Sequence, residues 1–173
     1  MTFAPISACH HPRDWELASQ LLDDYLDWLG CASGVGDVGT VQPSADVERL
    51  DLRAAFAGPD DRFFLARLGA LAAGTVGARR LDHDDVELVR LFVHPAARGS
   101  GLGRRLTERV LLHAIEVGAR RIVLDTHDRV MPEAAAMYRS LGFEETDEPC
   151  PIPVPGAVRY ALPLTLSLRY ASL

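Results

Sequence analysis

Cysteine is scarce in this chain. Cys9, Cys31 and Cys150 are three thiols among 173 residues, odd in number, far apart and outside any Cys-x-x-Cys spacing, which excludes a disulfide framework and a thiol-based zinc site. Long apolar runs are missing too: no stretch of about 18 uninterrupted apolar residues occurs, so no membrane-spanning helix is expected. The opening MTFAPISACHHPRDWE lacks the basic run followed by an apolar segment that marks a secretory leader, and a soluble, cytoplasmic protein is the expectation. Positive charge is in deficit, with Lys+Arg 18 against Asp+Glu 24 and a formal net charge of −6. That balance argues against general affinity for nucleic acid, which needs a basic face. Internal repeats are absent as well, which removes solenoids and propellers.

What is present suits one globular domain over residues 1–173. The length falls within roughly 100 to 200 residues per domain, and 48% hydrophobic with 24% charged residues is an ordinary soluble composition. Residues 3–8 read as a short strand. From Asp14, a plausible N-cap, Trp15, Leu21, Leu22, Tyr25, Leu26 and Leu29 follow helical spacing until Gly30. A Gly/Ser/Pro-rich loop runs to about Ser44, and residues 46–57 suit a second helix. Residues 62–68 and 70–81 read as a hairpin, and residues 86–93 as an apolar strand buried on both faces and stopped by Pro95. Residues 101–117 carry Leu102, Leu106, Val110 and Ala114 on one helical stripe, with Gly118 as the stop. A strand at 121–126, a helix from Pro132 to Gly142, a strand from Phe143 and an alternating segment over 158–170 complete the chain. Pro163 puts that last strand at a sheet edge or divides it. This order is not the regular βαβ alternation of a doubly wound fold.

Two glycine clusters differ in context. Gly34-Val35-Gly36-Asp37-Val38-Gly39 has dinucleotide-binding spacing, but it follows a helix and leads into a loop, so it reads as a flexible connection. Arg98-Gly99-Ser100-Gly101-Leu102-Gly103 lies between a buried strand and a helix start, where successive N–H groups and the helix dipole favour an anion such as a pyrophosphate. No Gly-Lys-Ser/Thr follows, so a Walker-type loop is unsupported. Arg98 adds charge beside the phosphates, and Arg104 and Arg105 either do the same or face solvent.

With this loop after its strand, and with Tyr138-Arg139-Ser140-Leu141-Gly142-Phe143-Glu144 about 40 residues later, the sequence resembles the GCN5-related N-acetyltransferase (GNAT) family. The resemblance covers about residues 60–165. It implies an α/β fold with a central mixed, mostly antiparallel twisted sheet of about six to seven strands flanked by about four helices. The sheet would splay between the strands at 86–93 and 121–126. It also implies acetyl-CoA as co-substrate, its pantetheine amides on the main chain at Leu91, Phe92 and Val93. The pyrophosphate would lie on Arg98, Gly99, Ser100, Gly101, Leu102, Gly103 and Arg104. Where many members carry an Asn that contacts pantetheine, this chain has Met131, so that contact is not expected.

Attack on a thioester needs a neutral amine, and hence a base near the acceptor. Glu87 is the candidate, because it stands in an otherwise apolar strand where desolvation raises a carboxyl pKa. The competing role is a salt bridge to Arg79, Arg80 or Arg90. His83, His94, His113 and His127 are alternative bases, each better suited to the surface or to capping. The resemblance gives Tyr138 the role of proton donor to the departing sulfur, with packing on a buried stripe as the competing role. No metal is expected, and direct transfer needs no nucleophilic cysteine. The function expected is acetyl transfer from acetyl-CoA onto the amine of an unidentified small molecule. A protein or peptide acceptor and a non-catalytic acyl-CoA sensor are the alternatives. The acceptor pocket is expected from the loop at 30–45 and from residues 147–157. The apolar tail at 162–168 either pairs in a homodimer or completes its own sheet.

Overall fold

A computed structural model describes residues 5–164. Seven strands form one mixed sheet in the order β1-β2-β3-β4-β5-β7-β6. They are β1 (Ile6–Ala8), β2 (Arg62–Leu68), β3 (Leu71–Arg80), β4 (Asp85–Val93), β5 (Arg121–His127), β6 (Glu144–Glu145) and β7 (Ala157–Pro163). Neighbours are antiparallel except β4 and β5, which are parallel. The helices are α1 (Pro12–Ser33), α2 (Pro43–Leu50), α3 (Leu52–Ala55), α4 (Leu102–Glu116) and α5 (Pro132–Ser140).

Strand β2 shows why the sheet is covered on both sides. Its side chains alternate with period two, yet both sets are apolar. Phe63 and Leu65 pack with the side chains of α1 and α3, whereas Phe64 and Ala66 pack with the α4 stripe of Leu102, Leu106, Val110 and Ala114. Leu106 is fully buried, and burying a leucine side chain stabilises the fold by about 1.5–3 kcal/mol. No helix among the described residues is long and apolar enough to cross a membrane.

Several local expectations need correcting. Asp14 is not the N-cap of α1. The helix starts one turn earlier with Pro12 in its first turn, where a missing N–H costs nothing, and Asp14 Oδ2 accepts the N–H groups of His10 (3.0 Å) and His11 (2.9 Å). Gly30 does not end α1, because the Gly36 carbonyl folds over it so closely that a Cβ would lie 1.8 Å from that oxygen. The helix ends instead at Gly34, whose φ of 73° is left-handed. Residues 46–57 are not one helix. Asp51 parts α2 from α3 by accepting the Ala54 N–H at 2.9 Å, a side-chain cap that competes with continued helix. Phe143 is a buried core residue ahead of a two-residue β6. Strand β7 lies inside the sheet between β5 and β6, with Pro163 at its last position, where a missing N–H is tolerated. Leu162 and Leu164 are buried in the chain's own core, and residues 165–170 of the expected strand lie outside the described residues.

Candidate active site

The sheet opens where it is parallel. β4 pairs with β5 only at Asp85↔Arg121, Val86↔Ile122 and Glu87↔Val123, so from Leu88 onward the two strands part. A bulge adds to this. Thr75 pairs with Phe92 and Gly77 with Val89, so Arg90 and Leu91 together oppose Val76. Arg90 takes φ 54°, the single positive-φ non-glycine residue among those described. Bulges of this kind bend a strand and redirect its side chains.

Two spaces meet in the opening. The first is a groove of about 570 Å³ that runs from Leu91, Phe92 and Val93 past Arg98, Gly99, Gly101, Leu102, Gly103 and Arg104 to Met137. Gly101 is the N-cap of α4 at φ 78°, and Gly99 has φ 76°. A side chain at either position would be strained by about 1–2 kcal/mol. The first N–H groups of α4 have no acceptor within the helix. A Cβ at Gly103 would sit 3.6 Å from Met137 Sδ and 3.7 Å from Val93 Cγ2, so any larger side chain there enters the groove. Arg98 donates from Nε to the Val93 carbonyl (3.2 Å) and lies 5.9 Å from the Trp28 ring centre. Arg104 lines the groove while donating to Ser140 Oγ (2.6 Å). Ser100 is the exception among the expected residues: its hydroxyl donates to the Ala97 carbonyl (2.6 Å), and it does not line the groove.

The second space, about 320 Å³, shares Tyr25, Leu91, Met131 and Ala134 with the groove. Glu87, Arg79, Arg90, Asp125 and Tyr138 line it, with α2's first turn (Pro43, Ser44) and Ile152 closing it. The loops expected to build an acceptor pocket therefore contribute Val41, Gln42, Pro43 and Ser44 from one side and Pro151 and Ile152 from the other.

Its charges form a network that the sequence did not disclose. Glu48 on α2 is 1% exposed. It accepts from Arg90 Nε (2.6 Å) and Arg79 Nη2 (2.8 Å), and Arg90 also donates to Gln42 (2.7 Å) and Ser44 (3.2 Å). Arg159 holds Asp125 with two 2.8 Å bonds. Glu87 sits between them, 4.0 Å from Arg79 Nη1 and 3.8 Å from Arg159 Nη2. It thus does neighbour Arg79 as the competing role required, at long range, whereas the Arg90 guanidinium turns to Glu48 and that of Arg80 to the Val117 and His83 carbonyls. Burial and then the Asp125 charge push the Glu87 carboxyl above its ordinary value, against the pull of Arg79, Arg159 and Arg90.

Tyr138 is 4% exposed, packs edge-on to Phe143 with ring centres 5.7 Å apart, and borders the same space. Burial raises its phenol far above the usual range, so it stays protonated. His94 caps a short turn by accepting the Ala96 N–H (3.2 Å), as expected of a capping residue. His113 is not on the surface: it is 3% exposed and its Nε2 is 2.7 Å from the Asp60 carbonyl. His127 lies 2.9 Å from the Pro155 carbonyl. Burial pushes the Cys9 thiol up to about 12, which removes it as a nucleophile at neutral pH.

Sequence reasoning missed Glu48 because a Glu on a polar helix reads as solvated, and it missed the Asp125–Arg159 pair because strand pairing across 34 residues is invisible locally. Arg90 carried a usable signal, being a charge inside an apolar strand.

Comparison with known proteins agrees with this geometry. The model of the Acetyltransferase (GNAT) family matches residues 22–143. The chain is 36% identical over 110 residues to an IAA acetyltransferase of Azospirillum brasilense, covering 62% of this chain and 70% of the relative. It is 27% identical over 166 residues to an uncharacterized N-acetyltransferase of Schizosaccharomyces pombe, covering 92% and 94%. Among solved structures, an acetyltransferase from Streptococcus agalactiae superposes with TM-score 0.74 at 20% identity, covering 95% of this chain and 100% of that one. A GNAT family acetyltransferase from Elizabethkingia anophelis with acetyl-CoA bound superposes with TM-score 0.62 at 17% identity, covering 95% and 100%. The splayed parallel pair, the bulged strand and the glycine loop at a helix start thus stand in a chain that belongs to the GNAT acetyltransferase family.

Proposed function

We propose that the protein transfers the acetyl group of acetyl-CoA directly onto the amine of a small molecule. The observation that carries this reading is the junction of the two spaces at Tyr25, Leu91, Met131 and Ala134. On one side a glycine loop opens a helix, and on the other stands a desolvated carboxylate. The pyrophosphate lies on the N–H groups at the start of α4 with Arg98 and Arg104 beside it, and the pantetheine arm runs along Leu91, Phe92 and Val93, whose side of β4 is released from β5. The family neighbour with acetyl-CoA bound supports this cofactor. Ser100 contributes through loop geometry and not through its hydroxyl, and Met131 offers the arm only apolar contact.

In the reaction, a protonated acceptor amine first loses a proton to the Glu87 carboxylate, directly or through one water. The free lone pair attacks the thioester carbon, the C–N bond forms and the C–S bond breaks. The nitrogen then loses a second proton. Tyr138 donates to the departing sulfur and is reprotonated from the site, so one proton ends on CoA and one in solvent. A thiol pKa near 8.5 makes that donation helpful and not obligatory. A space of about 320 Å³ lies at the small end of ligand pockets, roughly 300–1,000 Å³, which favours a small acceptor over a peptide. The test is release of free CoA thiol across small amines and peptides. Release with small amines is expected. Release with peptides alone, or acetyl-CoA binding without release across both sets, contradicts the proposal.

A further inference from the structure

The acceptor space carries a charge pattern that selects its occupant. Arg79, Arg90, Glu87 and Asp125 line it, with Glu48 paired to the first two and Arg159 to Asp125 behind them, so the ionised site is neutral. Once Glu87 has taken a proton from the amine, the same site holds one excess positive charge. A low-dielectric pocket in that state favours an acceptor that keeps one negative charge after its amine is neutralised.

The excess has a location. Arg90 spends its guanidinium on Glu48, Gln42 and Ser44, and Arg159 spends its own on Asp125. Arg79 donates from Nη2 to Glu48 alone among the described residues, while its Nη1 stands 4.0 Å from Glu87, too far for a hydrogen bond. It therefore keeps a donor edge at the space it lines.

A third observation concerns β5. Thr126 is 3% exposed and lines both the acceptor space and a smaller recess of about 50 Å³, and its Oγ1 is buried with no hydrogen-bond partner among the described residues. A buried hydroxyl without a partner is unfavourable, and it marks the place where β5 borders both spaces. The recess is lined mostly by apolar side chains, among them Leu29, Val35, Val38, Val130 and Val154, with Ser33, Gln42, Asp125 and His127 also on its wall.

We infer that the acceptor is a free α-amino acid with an apolar side chain. Its carboxylate meets Arg79, its amine lies between Glu87 and the mouth of the acetyl-CoA groove, and its side chain enters the recess. This rests on the acetyl-transfer reading above and adds the substrate class.

The experiment measures thiol release by the whole chain with acetyl-CoA and three matched acceptors: L-leucine, 3-methylbutylamine, which lacks only the carboxylate, and L-aspartate. The chain contains no lysine, so acetylation of its own side-chain amines does not enter the background. Leucine is expected to exceed 3-methylbutylamine in kcat/KM by about hundredfold or more, the size of discrimination a site gains when its buried polar groups lose their partner. It should exceed aspartate as well. Arg79→Met should shrink the leucine-to-amine ratio to a few-fold with acetyl-CoA affinity unchanged, and Arg79→Lys, which keeps the charge and should keep most of the ratio, provides the second reading if loss of the charge unfolds the Glu48 network. Equal rates with leucine and 3-methylbutylamine, or a preference for aspartate, overturn the inference. Thiol release with other amines but none with leucine overturns it and leaves acetyl transfer standing, whereas failure to bind acetyl-CoA removes both.

Discussion

At Glu87 the fold holds a carboxylate in a state it does not favour. Burial and Asp125 raise its pKa while Arg79, Arg159 and Arg90 pull it down, and the raising side prevails. A raised folded pKa means that Glu87 contributes stability at pH below its ordinary pKa and loses that contribution as pH rises through the folded value. Glu87→Gln should therefore melt at the same or a higher temperature at pH 7, read by thermal denaturation. It should also lose about a hundredfold or more in kcat and the acidic limb of the kcat/KM profile, the range a positioned base supplies. An unchanged acidic limb would make Glu87 structural. Tyr138→Phe keeps the ring against Phe143 and removes only the hydroxyl, so turnover should fall about tenfold to a thousandfold with acetyl-CoA affinity within a few-fold, in steady-state kinetics and titration. Unchanged turnover would assign Tyr138 to packing.

Among the elements, α2 is joined to the sheet through Ser44 and Glu48 and to α1 through Arg49, which pairs with Asp23 and Asp27. Glu48, on a short helix whose Val47 and Leu50 face solvent, reaches Arg90 and Arg79 in the sheet. Glu48→Ala leaves a buried guanidinium unpaired and should cost about 3–5 kcal/mol in a denaturant melt. Its companion at the other end of the α1 layer is Asp14, whose carboxyl is held well below the usual range by Arg67 and by the N–H groups of His10 and His11. That stability is present above the ordinary Asp pKa of about 3.9 and is lost as pH falls through the folded value. Asp14→Asn should flatten the acid side of a melting-temperature profile, and an unaltered profile would place the acid sensitivity elsewhere. Elements with one strong period were legible in the sequence: the β2–β3 hairpin, the doubly apolar β4, and α4 with its Gly101 start and Gly118 stop. What was not legible depends on partners distant in the chain. Gly30 was read as a helix end because the Gly36 carbonyl that explains it lies beyond a turn. The break at Asp51 turned on one local cap outcompeting a continuous helical period. The glycine loop and Tyr138 were visible as motifs, but Glu48, Asp125 and Arg159 acquire meaning only when three elements converge.

For the whole molecule, the parallel β4–β5 pair set into an antiparallel sheet is what opens two adjoining spaces. The pairing stops at Glu87 and Val123, the bulge turns Arg90 aside, and the opened edges let the groove from α4 and the charged space from α2 meet. In the proposed reaction, cofactor binding and proton transfer belong to different parts of the opening and should separate by mutation. The most direct measurement is calorimetric titration of acetyl-CoA into the wild-type chain, Gly103→Val and Glu87→Gln, each verified as folded by its circular dichroism. Gly103→Val, whose branched side chain enters the groove between Val93 and Met137, should bind about ten- to a hundredfold more weakly, matching an overpacking cost of about 1–3 kcal/mol. Glu87→Gln should bind within about twofold, because the role proposed for its carboxylate is toward the acceptor. Wild-type affinity in a folded Gly103→Val chain, or a large loss of affinity in Glu87→Gln, would contradict the account.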